Sequence, residues 1–206
     1  MTPKELAESE GVPIALRWVA ASLALLQNHL TALAKDEPGD ELAWNALETN
    51  FSLSREQPLA SVYIVLVIAR FVQARGVLEH SNRYFHDIGE PDARAIFGDD
   101  IPPAYAQGDG VYFTPRFEPY DAVTGRGFGP CCRAAMVLHE SIHIIAPRSG
   151  EPAIHISEWD EPAFSGQSFE ESLHNPSAYA SFGAQAESRA LEWPRSARFG
   201  AGRPAD

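Results

Sequence analysis

The chain has 206 residues, 45% of them hydrophobic, and a formal net charge of -12. That length and composition suffice for one compact domain with a full core. The acidic balance argues against a nucleic-acid binder, which works through a concentrated basic field. Residues 1–10 mix Lys4 with Glu5, Glu8 and Glu10, and Arg17 interrupts the apolar run that follows, so neither a signal peptide nor a membrane span is expected. Cytoplasm is then the default location, with export by a leaderless route left open. Residues 11–34 are predicted as one long helix, with Leu16, Val19, Leu23, Leu26, Leu30 and Leu33 along a single face. Asp36-Glu-Pro-Gly-Asp-Glu41 reads as a turn, and further helices are predicted over residues 41–50 and 58–78, the latter with Val62, Val65, Ile68, Ala69, Val72 and Val77 apolar. Breaks at Gly89-Glu-Pro91 and Ile101-Pro-Pro-Ala104 separate a helical N-terminal portion, residues 1–95, from a short strand at Val111 and a second portion over residues 96–190. Residues 193–206, rich in Gly and Pro, read as a tail. The expected fold is a single α+β domain, predominantly helical, with a small sheet.

Within the second portion stands His139-Glu140-Ser141-Ile142-His143, an H-E-x-x-H sequence inside the apolar run Met136-Val-Leu-His-Glu-Ser-Ile-His-Ile-Ile145. Two imidazoles four residues apart on a helix lie about 40° apart around its axis, close enough to bind one zinc ion, and the carboxylate between them can face water on the metal. Gly125-Arg-Gly-Phe-Gly-Pro130 breaks regular structure ahead of this helix, Pro130 suits its first position, and Pro147 is expected to stop it. Ala135, Leu138, Ile142 and Ile145 repeat at the spacing of a buried face, with His139, His143 and Met136 on the neighbouring one. The adjacent Cys131 and Cys132 are poorly placed to bridge each other and read as buried thiols.

Hydrolytic zinc takes three protein ligands and leaves a fourth position for water. H-E-x-x-H supplies two, and the extension that would add a glycine and a third histidine is absent here. The remaining candidates are the carboxylates Glu158, Asp160 and Glu161, then Glu170, Glu171 and Glu187 downstream. Composition alone does not choose among them.

The chain resembles the deuterolysin and peptidyl-Lys metalloendopeptidase group, the aspzincins. In that group H-E-x-x-H is followed by an aspartate ligand in a G-T-x-D-x-x-Y-like loop and by a segment of the form N-A-D-S-Y-x-Y-F-A. Here His139-Glu-Ser-Ile-His143 is followed by Asn175-Pro-Ser-Ala-Tyr179-Ala-Ser-Phe182, and Val111-Tyr-Phe-Thr-Pro115 resembles the strand bordering the cleft. The resemblance covers roughly residues 100 to 190 and departs at the third ligand, since no G-T-x-D occurs. It implies a zincin-like fold and Asp160, the only aspartate between His143 and Asn175, as third ligand, with Glu158 next and Glu161 after it because Phe164 stands where the family has tyrosine. Tyr179 is carried over as a candidate catalytic phenol, against a supporting role in which it bonds to backbone near the zinc site.

The expected function is a zinc metalloendopeptidase acting on peptide or protein substrates. Zinc lowers the pKa of its water, and Glu140 takes the proton during attack on the scissile carbonyl and returns it to the leaving amine. Two alternatives stay open: a non-catalytic zinc-binding structural or interaction protein, and a zinc amidase acting on a non-protein substrate.

Overall fold

The structure is a computed structural model describing residues 1–149, 154–156 and 161–191. Thr2 opens the first helix with a reciprocal capping box: its Oγ1 accepts the Glu5 N–H at 3.2 Å, and the Glu5 carboxylate accepts the Thr2 N–H at 2.8 Å. The rod that follows comprises α1 (Pro3–Leu6), one π turn (Ala7–Gly11) and α2 (Val12–Leu33). It starts eight residues before the predicted helix because the capping box and Pro3 nucleate a turn there. The wide π turn brings Glu10 to the Arg133 guanidinium as an ion pair and sets Gly11 against the helix that carries H-E-x-x-H. A Cβ on Gly11 would stand 2.9 Å from Val137 Cγ2, so glycine permits this approach.

The Asp40 carboxylate caps α3 (Glu41–Phe51), accepting the Leu42 and Ala43 N–H groups at 2.8 and 3.2 Å. Ser52, left-handed at φ 51°, ends that helix, and α4 (Ala60–Glu79) follows. Then come α5 (Ser81–Tyr84), β1 (Phe85–Asp87), α6 (Glu90–Phe97), β2 (Ala104–Gln107) and β3 (Gly110–Phe113). The strand expected at Val111 is therefore β3, and it is central. The sheet order is β1-β3-β2, with β1 parallel and β2 antiparallel to β3. Helices α7 (Pro130–Ser149), α8 (Glu161–Gly166), α9 (Phe169–Leu173) and α10 (Pro176–Ser188) complete the described chain. α7 continues two residues past Pro147, contrary to the expected stop. A proline forfeits only its own N–H bond, and its fixed φ is compatible with a helix.

One continuous core joins the helical and second portions, built where α2 packs on α4, α7 and α10. Gly183 lets α10 cross α2 closely, since a Cβ there would lie 3.0 Å from Trp18 Cβ. Phe51, Phe71, Tyr179 and Phe182 interlock with ring centroids 5.0 to 5.6 Å apart. Burial of each such ring stabilises the fold by about 1.5–3 kcal/mol. The segments Pro3–Leu33 and Ala60–Glu79 are long and apolar enough to cross a membrane by length and composition alone. Here they pack against each other and against α7.

Candidate metal centre

The Gly129 carbonyl accepts the Arg133 N–H at 3.0 Å and starts α7. Leu138, Ile142 and Ile145 turn into the core, and Ser141 Oγ donates to the Val137 carbonyl at 2.7 Å. That burial fixes the rotation of the helix and leaves His139, Glu140 and His143 at the core's margin. His139 and His143 are half-buried, with Nε2 atoms 3.0 Å apart.

The third imidazole at this point is His155. Its ring lies 4.2 Å from His143 and 5.4 Å from His139, centroid to centroid. One ligand atom from each of the three histidines falls within 4.8 Å of the others. The backbone on both sides of His155 is tied to the α9–α10 junction: the Ile154 N–H donates to the His174 carbonyl at 3.0 Å, and Asn175 Nδ2 donates to the Ile156 carbonyl at 2.8 Å. Asn175 also caps α10 by accepting the Ser177 N–H at 3.1 Å. Ser177 Oγ in turn lies 3.3 Å from His139 Nδ1. The Asn175-Pro-Ser177 segment thus orients two of the three histidines from one helix N-terminus.

Burial and the neighbouring imidazoles keep the cluster neutral. The His139 pKa lies well below the ordinary value, chiefly by burial and then by the proximity of His143 and His155. His143 is lowered to about 4 by burial and by His155, and burial lowers His155. Neutral imidazole is the form that ligates metal. Three such donors could hold a metal ion, and the all-nitrogen set suits zinc, copper, iron or nickel over calcium or magnesium.

Glu140 is buried beside these rings, and burial pushes its carboxyl up to about 8 against the counter-effect of the Ala106 N–H, which donates to it. Ala106 lies on β2, an edge strand. A cleft of about 380 Å3 runs along that strand, with Ala104, Ala106, Glu140, His143 and His155 among its lining residues. Carboxyl, imidazoles and edge-strand backbone therefore meet in one space open to solvent.

The other candidates lie elsewhere. Tyr179 is fully buried among Phe51 and Phe71, and its hydroxyl donates to the Leu173 carbonyl at 2.8 Å, the placement of the supporting role. Phe164 is in the core too. Glu170 is exposed, the Glu171 carboxylate is spent capping α9, and Glu187 pairs with Arg17 at 3.5 Å. Cys131 is exposed, against expectation, because the first turn of α7 turns it outward, whereas Cys132 is buried. Glu158, Asp160 and the Glu161 side chain lie outside the described residues. The residue that sequence reasoning passed over is His155, twelve positions after His143 and next to the carboxylates then under consideration. A third histidine within one loop of H-E-x-x-H was the available signal.

Comparison with protein families, with curated proteins and with solved structures finds no match to the chain.

Proposed function

We propose that the protein is a zinc-dependent hydrolase of peptide bonds, with His139, His143 and His155 as the metal ligands and Glu140 as the proton-transfer group. The observation that carries this is the convergence of a third imidazole on the H-E-x-x-H pair at the cleft into which Glu140 opens. Zinc in a three-histidine site supplies Lewis acidity toward a carbonyl oxygen and lowers the pKa of water. Glu140 accepts one proton from the attacking water as the water oxygen bonds to the carbonyl carbon, and it delivers that proton to the amine nitrogen as the C–N bond breaks. Burial raises the carboxyl's pKa, which favours its acid form for delivery to the amine, and a bound zinc would draw it back toward the carboxylate that accepts a proton. The Ala106 N–H holds the carboxyl toward the cleft. In this reading the zincin-like arrangement is the H-E-x-x-H helix beside an edge strand, and the aspzincin likeness is kept with histidine in place of the acidic third ligand.

The test is cleavage of a library of end-blocked peptides by the zinc-loaded protein. Glu140→Gln should keep about one zinc per chain and lose at least about two orders of magnitude in turnover. Undiminished turnover in that variant overturns the role of Glu140. A fully zinc-loaded wild type that cleaves nothing leaves a metal-binding protein without this activity.

A further inference from the structure

His155 is the exposed member of the histidine cluster, so packing alone does not hold it against the other two. Its chain is fastened at the Ile156 carbonyl by Asn175, whose amide is fully engaged. Oδ1 of Asn175 accepts the Ser177 N–H at 3.1 Å, and Nδ2 donates both to the Ile156 carbonyl at 2.8 Å and to Gln167 Oε1 at 3.1 Å. Two of these partners are backbone groups of fixed polarity, so the orientation of the amide is set: oxygen toward Ser177, nitrogen toward Ile156. The second hydrogen on Nδ2 then needs an acceptor, and Gln167 supplies it.

Gln167 lies in the link between α8 and α9, 4% exposed, and its side-chain amide is used on one side only. Oε1 meets Asn175, while among the described residues Nε2 has no hydrogen-bond partner. A buried donor left unpaired destabilises a fold, so what this side chain contributes is its oxygen. The link is held in turn from the helical portion of the chain. Ser52, the left-handed residue that ends α3, donates from Oγ to the Gln167 carbonyl at 2.7 Å, and Ser172 Oγ donates to the Phe51 carbonyl at 2.8 Å. One polar chain therefore runs from the end of α3 through Gln167 and Asn175 to the backbone beside His155.

We infer that Gln167 is a positioning residue for the third metal ligand: its oxygen locks the Asn175 amide, and the locked amide presents His155 to His139 and His143. This rests on the metal centre proposed above and adds the residue that presets it. Without the Gln167 acceptor one Asn175 N–H is buried unpaired, and the amide regains a partner only by turning, which releases the Ile156 carbonyl. The metal must then order His155 itself, and affinity falls by the cost of that ordering.

The test is zinc and cobalt affinity of the full chain, by competition with a chromophoric chelator, together with the visible spectrum of the cobalt form. Gln167→Met, similar in volume and without an acceptor, should weaken both metals at least about 10-fold, the scale of outer-shell partners. It should also lower the cobalt band intensity as four-coordinate geometry is lost. Gln167→Glu keeps an acceptor in either protonation state and should restore wild-type affinity and spectrum. In a His155→Ala background Gln167→Met should change nothing further, because no third ligand remains to be presented. A further loss in that background overturns the inference, as does wild-type affinity in Gln167→Met. Ser52→Gly, which removes the hydroxyl but suits the left-handed backbone, takes the place of Gln167→Met if that variant does not fold; it should weaken metal only while His155 is present, and wild-type affinity in it overturns the inference too. Amide exchange in chelator-treated protein separates this role from the metal reading. Gln167→Met should speed exchange of the Ile154 N–H, which donates to the His174 carbonyl, at least about 10-fold while α7 amides are unchanged. Unchanged exchange at Ile154 sinks the positioning role, whereas a wild type that binds neither metal sinks the metal centre.

Discussion

Two regions of this molecule bury imidazole, in opposite ways. His29, on α2, is fully buried; its Nδ1 accepts the Asp40 N–H at 2.8 Å, and its ring meets Trp44 edge-on at 4.6 Å. Gly39, at φ 80°, lets the chain fold against that ring, where a Cβ would come within 2.6 Å of Nδ1. Here one histidine is enclosed by backbone and an indole, as a structural part. In the cluster, His139, His143 and His155 turn nitrogens toward one another, the last two lining a cleft. Burial lowers the pKa of all four. Depressed basicity therefore does not mark a ligand; convergence of nitrogen lone pairs on a shared space does.

The sharpest way to break this contrast is metal analysis. His139→Ala, His143→Ala and His155→Ala should each lower zinc affinity by more than about two orders of magnitude, because two ligands lose both affinity and geometry. His29→Ala should leave stoichiometry at about one zinc per chain and lower only stability. Asp160→Asn and Glu158→Gln should keep their zinc, as measured by mass spectrometry after dialysis. Loss of zinc in Asp160→Asn with retention in His155→Ala would return the third ligand to the carboxylates.

How legible this was in the sequence differs by element. The helices expected over residues 41–50 and 58–78 and at H-E-x-x-H carry their signal locally, in apolar spacing and capping residues, and all three are present as α3, α4 and α7. The π turn carries no such signal: residues 7–10 lie ahead of the helix expected from residue 11, and the contacts that Glu10 and Gly11 make are with α7, far along the chain. β1 and β2 are three and four residues long, too short for alternation to show. His155 was hidden for a related reason, since its position depends on bonds to His174 and Asn175 made across the chain. Tyr179 sits within the segment that orients the site yet is itself core, a distinction made by its burial against Phe51 and Phe71 and its hydrogen bond to Leu173.

Glu140 sharpens the comparison through pH. Its folded-state pKa of about 8 exceeds the ordinary 4.5, so its stabilising contribution is complete below about 4.5 and is lost as pH rises toward 8. In chelator-treated protein, Glu140→Gln should therefore gain stability over wild type progressively across that window, reaching on the order of a few kcal/mol at the alkaline end. Urea midpoints at a series of pH values measure this, and a constant gap would contradict the burial of a carboxyl there.

His29 should show the reverse sign. Its pKa is lowered, so its contribution is present above 6.5 and is lost as pH falls below that value. The acid slope of wild-type stability should be shallower in His29→Gln, with the three cluster histidines supplying the slope that remains. An unchanged slope in that variant would sink the assignment.

The smallest effect belongs to Ser177, a positioning residue at 3.3 Å from His139 Nδ1. Ser177→Ala should weaken zinc binding by about 10-fold while Ser177→Thr preserves it, the scale of outer-shell partners of ligand histidines. Competition titration with a chromophoric chelator resolves a change of that size.

The contact of Glu10 with Arg133 spans 123 residues, and its consequence concerns the order in which the chain is made. On the ribosome the first rod emerges long before the helix it grips, so α4 can cover one part of it early while the flank turned to α7 waits, unsatisfied, for most of translation. The grip on His155 comes later still, because His174 and Asn175 follow it. Nascent chains arrested before residue 175 should therefore be chaperone clients that cannot load metal, whatever zinc the cell supplies.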